Sequence, residues 1–163
     1  MTVPHVPILS PAQLPISLGT PLDGRSKTVV SDLINPYGFV VFRGYGVSSD
    51  QEFHDFIECF GLPNFTYAES FSNAVRRNRT PRVFTANEAP PEIEIFLHHE
   101  MAQTLVFPGQ LFFFCEQAPT DGGTTPIGRS DLALVAIEKA RPNFVAKLRN
   151  LGVRYRNIMP ESA

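Results

Sequence analysis

Cysteine is scarce in this chain, and the scarcity bounds where it works. Cys59 and Cys115 are its two cysteines in 163 residues, and neither a signal peptide nor an apolar run of transmembrane length accompanies them. A reduced, cytoplasmic protein is therefore expected. Cys115 falls in an apolar stretch and Cys59 near the end of an amphipathic one, settings in which a small buried thiol is commoner than a disulfide or a nucleophile. Excess charge of one sign is missing too: a net charge of -2 provides no field to attract nucleic acid or an anionic membrane, and no nucleic-acid-binding motif is recognisable. Internal repeats, low-complexity tracts and a credible domain boundary are also lacking. Histidine is short as well, with four in the chain and none after His99.

What is present is apolar. A hydrophobic fraction of 43%, 14 phenylalanines and a charged fraction of 18% argue for a folded core rather than disorder. A chain of ~150 residues hides about 70% of its unfolded surface, so residues 1–163 are read as one domain. Its first 24 residues form a proline-rich arm, with Pro4, Pro7, Pro11, Pro15 and Pro21 denying backbone donors too often for a helix or a central strand. This arm is expected to drape over the rest.

Helical spacing of Val29, Val30, Leu33 and Ile34 predicts an amphipathic helix over 26–35, ended by Asn35, Pro36 and Gly38. Phe39 to Phe42 reads as a strand buried on both faces. Ser48 or Ser49 caps a following helix, with Asp50 and Glu52 at its positive end and Phe53, Phe56, Ile57 and Phe60 as its core stripe. His54, one position off that stripe, is read as a solvated or boundary residue. From Gly61 to Pro91 the periodicity fails. This long loop carries Arg76, Arg77, Arg79 and Arg82 with Asn73, Asn78 and Asn87, either a solvated basic loop or a lid able to hold an anion by bidentate pairing. Further strands are expected near Ile95, Val106, Phe113 and Val153, with Leu111 to Cys115 central to a sheet. A helix from Ser130 should turn Leu132, Leu134, Val135 and Ile137 to the core, with Pro142 interrupting it and Gly152 ending it.

The chemistry-bearing stretch is Ile95 to Ala102, where His98 and Glu100 stand one residue apart. On an extended strand side chains alternate, so these two share a face and His99 points to the other. An imidazole and a carboxylate with open positions suit a redox-active ferrous ion, whose usual set is two histidines and one carboxylate. A His-x-Glu triplet can equally be a solvated pair on a surface strand.

Further along come the aromatic run Leu111-Phe-Phe-Phe-Cys115 and then Asp121-Gly-Gly-Thr-Thr-Pro126. Taken in this order, His-x-Glu, an aromatic strand and Gly-Gly-x-Thr-Pro resemble the taurine dioxygenase and clavaminate-synthase-like family of Fe(II) and 2-oxoglutarate-dependent oxygenases. The resemblance spans about Pro36 to Arg156. It implies Fe(II) at His98 and Glu100, a hydrogen bond from Thr125 to the distal carboxylate of 2-oxoglutarate, and hydroxylation of a small organic substrate with release of succinate and carbon dioxide. In that family the loop before the first iron ligand walls the substrate site, which makes Asn87 and Arg82 substrate candidates. The implied fold is mainly β with flanking helices: a partial double-stranded β-helix, or jelly roll, whose C-terminal part, with the third ligand histidine and a cosubstrate arginine, is missing. His54 and His5 make no convincing substitute for that histidine. Exposed sheet edges would then invite self-association. Two other readings are a non-catalytic, truncated metal- or ligand-binding fragment and a structural or interaction protein without metal.

Overall fold

Asp23 and Gly38 delimit the first helix through backbone geometry that their residue types favour. The computed structural model describes residues 6–65, 76–86, 88, 90, 92–102 and 104–156. Helix α1, Gly24–Tyr37, begins where the Asp23 carboxylate accepts from the Ser26 N–H at 2.7 Å, and ends at Gly38, whose left-handed φ of 81° lets its N–H reach the Ile34 carbonyl. The helix runs past the predicted Asn35 stop with Pro36 inside its last turn.

Two short strands, β1 (Ile8–Leu9) and β2 (Val41–Phe42), pair in parallel with Ile8 opposite Val41 and Leu9 opposite Phe42. The proline-rich arm is thus part of the core rather than a drape over it. Pro7, Leu9, Leu14 and Leu22 are buried, and the Leu22 N–H donates to the Cys59 carbonyl at 2.7 Å. Prolines do not prevent this, because Pro7 still offers a carbonyl, which accepts from the Val41 N–H at 2.9 Å.

Helix α2, Asp50–Glu58, starts at Ser49, whose hydroxyl accepts from the Glu52 N–H at 3.2 Å. Glu52 reciprocates, accepting from the Ser48 hydroxyl and N–H at 2.7 and 2.9 Å and from the Ser49 hydroxyl at 3.1 Å. This is the logic of a capping box, and those donors hold the Glu52 carboxyl below the usual range, the Ser48 hydroxyl foremost. Phe56, Cys59 and Phe60 join Leu9, Leu14, Leu22 and Val30 in the main core. The Phe42 ring meets Tyr45, Phe56 and Phe60 edge-on at 5.7, 5.2 and 5.8 Å, an arrangement that the ring quadrupoles favour.

The expectation of a mainly β fold with a partial jelly roll is corrected here. Among the described residues the ordered elements are the β1–β2 pair and four helices, α3 (Ser130–Ala140) and α4 (Pro142–Leu151) being the last two. The stretches near Ile95, Val106, Phe113 and Val153 form no ladder there. β-propensity marks a residue that fits a pleated surface, but a strand exists only where a neighbouring backbone takes up its N–H and C=O groups. Leu111 to Cys115 keeps the alternation without the sheet: Phe112 and Phe114 turn toward α2, while Leu111, Phe113 and Cys115 are exposed. Cys115 is therefore a free, exposed thiol rather than a buried one.

Helices α3 and α4 pack on each other, and Val145 is buried. Leu132, Leu134, Val135 and Ile137 do not face the core as their spacing predicted; all four are exposed. Pro142 opens α4 as its first residue, where its missing N–H costs nothing. The Arg129 guanidinium joins this pair to α1 by donating to the Pro36 carbonyl and to Asp131. No helix among the described residues is long and apolar enough to cross a membrane.

Candidate functional site

Thr80 organises the turn that carries Arg79, Arg82 and Val83. Its hydroxyl accepts from the Arg82 and Val83 N–H groups at 3.2 and 3.1 Å and lies 2.9 Å from His54 Nδ1 on α2. The Arg79 N–H donates to the Val83 carbonyl at 2.8 Å and the Thr85 N–H to the Arg77 carbonyl at 2.9 Å. Residues 77–85 are thus a pinned turn within the stretch expected to be a long loop. His54 sits half-buried at this boundary, with Nε2 3.7 Å from Glu58.

Each of the four arginines faces a carboxylate. Arg77 grips Glu88 at 2.8–3.0 Å, Arg79 reaches Asp50 at 2.8 Å and Glu116 at 3.6 Å, and Arg82 holds Glu58 and the Leu62 carbonyl. The Arg77 hydrogen bonds hold the Glu88 carboxyl below the usual range. Arg76 Nη2 lies 3.3 and 3.4 Å from the two oxygens of Glu100.

His98 and Glu100 are brought together by a turn. The Ala102 N–H donates to the His99 carbonyl at 3.3 Å, the Thr104 N–H and hydroxyl donate to the Met101 carbonyl at 3.0 and 2.9 Å, and Met101 adopts a positive φ of 59° with its side chain buried. A positive φ in a residue other than glycine is uncommon and persists where surrounding contacts impose it. The proximity of the pair therefore does not come from strand alternation.

The tautomer of His98 follows from chemistry. Nδ1 lies 2.7 Å from the Phe96 carbonyl, which can only accept, so Nδ1 carries a proton and Nε2 is the nitrogen whose lone pair is available to a metal when the ring is neutral. That nitrogen stands 3.9 Å from Glu100 Oε2. A ligating histidine is commonly oriented by a backbone carbonyl on its other nitrogen in this way, so the two donors fit a divalent ion as part of its ligand set. Among the described residues no group of three His, Cys, Asp or Glu side chains gathers to complete the set.

One open cavity of about 1170 Å³ collects His98, Glu100, Arg76, Arg82 and Thr125 along its lining, with Phe112 and Phe114 from the aromatic run. Thr125 is exposed there, downstream of the Gly122 and Gly123 turn, whose glycines have φ of 65° and 66°. His99 borders the same cavity and also a smaller recess beside Asn35, Arg129 and Asp131. Asn87 and His5 lie outside the described residues. Sequence reasoning did not single out Arg76 or Met101. Nothing in the order of the arginines distinguishes the one that meets Glu100, and a left-handed methionine has no local sequence signal.

Comparison with known proteins adds two kinds of match. The family model described as taurine catabolism dioxygenase TauD, TfdA family matches residues 5–159. A clavaminate synthase-like protein of Arabidopsis thaliana is 38% identical over 165 residues, which cover 97% of this chain and 49% of that protein. The dapdiamide synthesis protein DdaC of Enterobacter agglomerans is 29% identical over 153 residues, covering 93% of this chain and 44% of the relative. The chain thus spans about half the length of the relatives it matches.

Proposed function

Because the chain belongs to the taurine catabolism dioxygenase TauD, TfdA family, we propose that it carries the His-x-Glu half of an Fe(II) and 2-oxoglutarate site for hydroxylating a small organic substrate. The observation that carries this reading is the facing of His98 Nε2 and Glu100 Oε2 at 3.9 Å on the wall of the cavity. His98 and Glu100 would hold the iron, with the Phe96 carbonyl fixing the ring so that Nε2 is the donor. When bound, iron and 2-oxoglutarate would supply, with dioxygen as the oxidant, oxidative decarboxylation coupled to substrate hydroxylation, one oxygen atom going to succinate and the other to the product hydroxyl, with carbon dioxide released.

The chain's own residues bind and orient. The Thr125 hydroxyl would donate to a carboxylate oxygen of 2-oxoglutarate, Phe112 and Phe114 would shed water from the cavity wall, and Arg82 would face the substrate; Asn87, the other substrate candidate, lies outside the described residues. Cytoplasmic location and self-association through the extended apolar segments belong to the same proposal. Cobaltous ion, a redox-stable stand-in for iron, tests it. Calorimetry should detect binding that is lost in His98→Ala and Glu100→Ala, and a silent titration of the unaltered protein would sink the reading.

A second reading is favoured by the pair of donors standing without a third among the described residues: metal is held weakly and no turnover follows. Succinate release from 2-oxoglutarate by this chain, measured with iron and ascorbate, would contradict it.

A further inference from the structure

We propose that Arg76 is a cation placeholder for the His98–Glu100 centre: without a divalent ion its guanidinium neutralises Glu100, and an incoming ion must displace it. This inference rests on the reading of that pair as metal ligands.

Three observations carry it. The first is sheltering: the Glu100 side chain is 13% exposed and that of Arg76 19%, and a carboxylate withdrawn this far from water is costly unless a cation or donors meet it. The second is placement. Arg76 Nη2 stands 3.3 Å from one Glu100 oxygen and 3.4 Å from the other, nearly equidistant, so the cationic nitrogen lies between the two oxygens where a cation held by both would stand. The third is selectivity among neighbours, because Arg77, Arg79 and Arg82 serve Glu88, Asp50 and Glu58, leaving Arg76 as the member of the four that touches a candidate ligand. Its Nη1 also donates to the Thr85 carbonyl at 3.5 Å, which tethers it to the 77–85 turn and gives it somewhere to remain when it lets go.

The competition follows from charge. A divalent ion beside Glu100 and a guanidinium at the same oxygens repel each other at short range. If the guanidinium holds the carboxylate about nine-tenths of the time, the apparent affinity for metal falls about tenfold.

The test is a cobaltous-ion titration followed by calorimetry and by the visible absorption of the bound ion, on the unaltered chain, Arg76→Gln, Arg76→Lys and His98→Ala. Arg76→Gln should bind about tenfold tighter, Arg76→Lys should fall between, and His98→Ala should lose binding. Circular dichroism checks that each variant is folded. Independently of any variant's folding, zinc added to the unaltered chain should shift the Arg76 guanidinium signals in a nitrogen-15 spectrum toward those of a solvated arginine. Equal or weaker binding in Arg76→Gln, with His98→Ala still impaired, overturns the placeholder role and leaves the metal centre standing. Guanidinium signals that stay put while zinc binds do the same. No cobalt binding in any of the four chains overturns the metal centre and the placeholder together.

Discussion

The Tyr45 hydroxyl donates to the Leu14 carbonyl at 2.8 Å, tying the exit of β2 to the proline-rich arm across 31 positions of sequence. Partial burial raises the Tyr45 pKa above the ordinary 10.0, since desolvation disfavours the phenolate. Tyr45→Phe should destabilise the fold by about 1 kcal/mol, the net worth of one such bond, as read from the midpoint of a urea titration. A midpoint equal to that of the unaltered chain would mean that the arm is held by apolar burial alone.

The same residue sets an alkaline limit. A raised acid pKa means that the folded state keeps its proton longer than the unfolded state, so the stabilisation is full below the free-tyrosine value and is lost as pH rises through the raised one. Thermal melts across that range should fall more steeply for the unaltered chain than for Tyr45→Phe. Parallel curves would remove Tyr45 as the cause.

At the acid end the helix caps contribute. Asp23 and Glu52 are both held below their ordinary 3.8 and 4.5, the first by the Ser26 N–H and the second by the Ser48 hydroxyl. A depressed carboxyl pKa gives stabilisation that is present above the unfolded value and is lost as pH falls through the lowered one. Helicity followed from pH 6 to pH 2 should drop below about pH 4.5, the ordinary carboxylate range, and Glu52→Gln should flatten part of that drop. An unchanged acid profile in Glu52→Gln would assign the loss to other carboxylates.

In the candidate site, His98→Ala and Glu100→Ala should abolish cobalt binding while His99→Ala retains most of it, because the Nε2 facing Glu100 belongs to His98. Thr125→Val should weaken 2-oxoglutarate binding to the cobalt-loaded chain by roughly 1.5–3 kcal/mol, the worth of a hydrogen bond to a charged group. A dead His99→Ala beside an active His98→Ala would reverse the ligand assignment.

The parts legible in the sequence are those decided locally. Ser49 with Glu52, Gly38 after α1 and the Phe53, Phe56, Ile57 and Phe60 stripe each act within a turn or two, and each stands where its spacing placed it. The sheet was not legible, because pairing is a relation between distant backbones: Leu111 to Cys115 has strand composition and alternation but no partner among the described residues. The fate of the arm was equally non-local, since Leu14 and Leu22 are buried in one cluster with Val30 of α1, Phe56 of α2, Phe60 and, at its edge, Phe42 of β2. In the site, the His-x-Glu spacing was readable, whereas the arginine that meets Glu100 depends on how the 77–85 turn is pinned to Thr80 and His54.

Neighbouring phenylalanines offer the sharpest separation of folding from association. Phe112 meets the Phe60 ring at 5.0 Å in the core contact, whereas Phe113 is 76% and Leu105 99% exposed. Extended apolar segments that form no ladder among the described residues favour pairing between copies, so sedimentation should show the chain associating as its concentration rises. Phe113→Ser combined with Leu105→Ser should reduce that association with little change in Tm, because neither side chain is withdrawn from water in the single chain. Phe112→Ser should instead lower stability by about 2–4 kcal/mol, the range for emptying a partly buried aromatic position. If Phe113→Ser and Leu105→Ser lower Tm as much as Phe112→Ser does, the exposed face is covered in solution by a part of the fold itself.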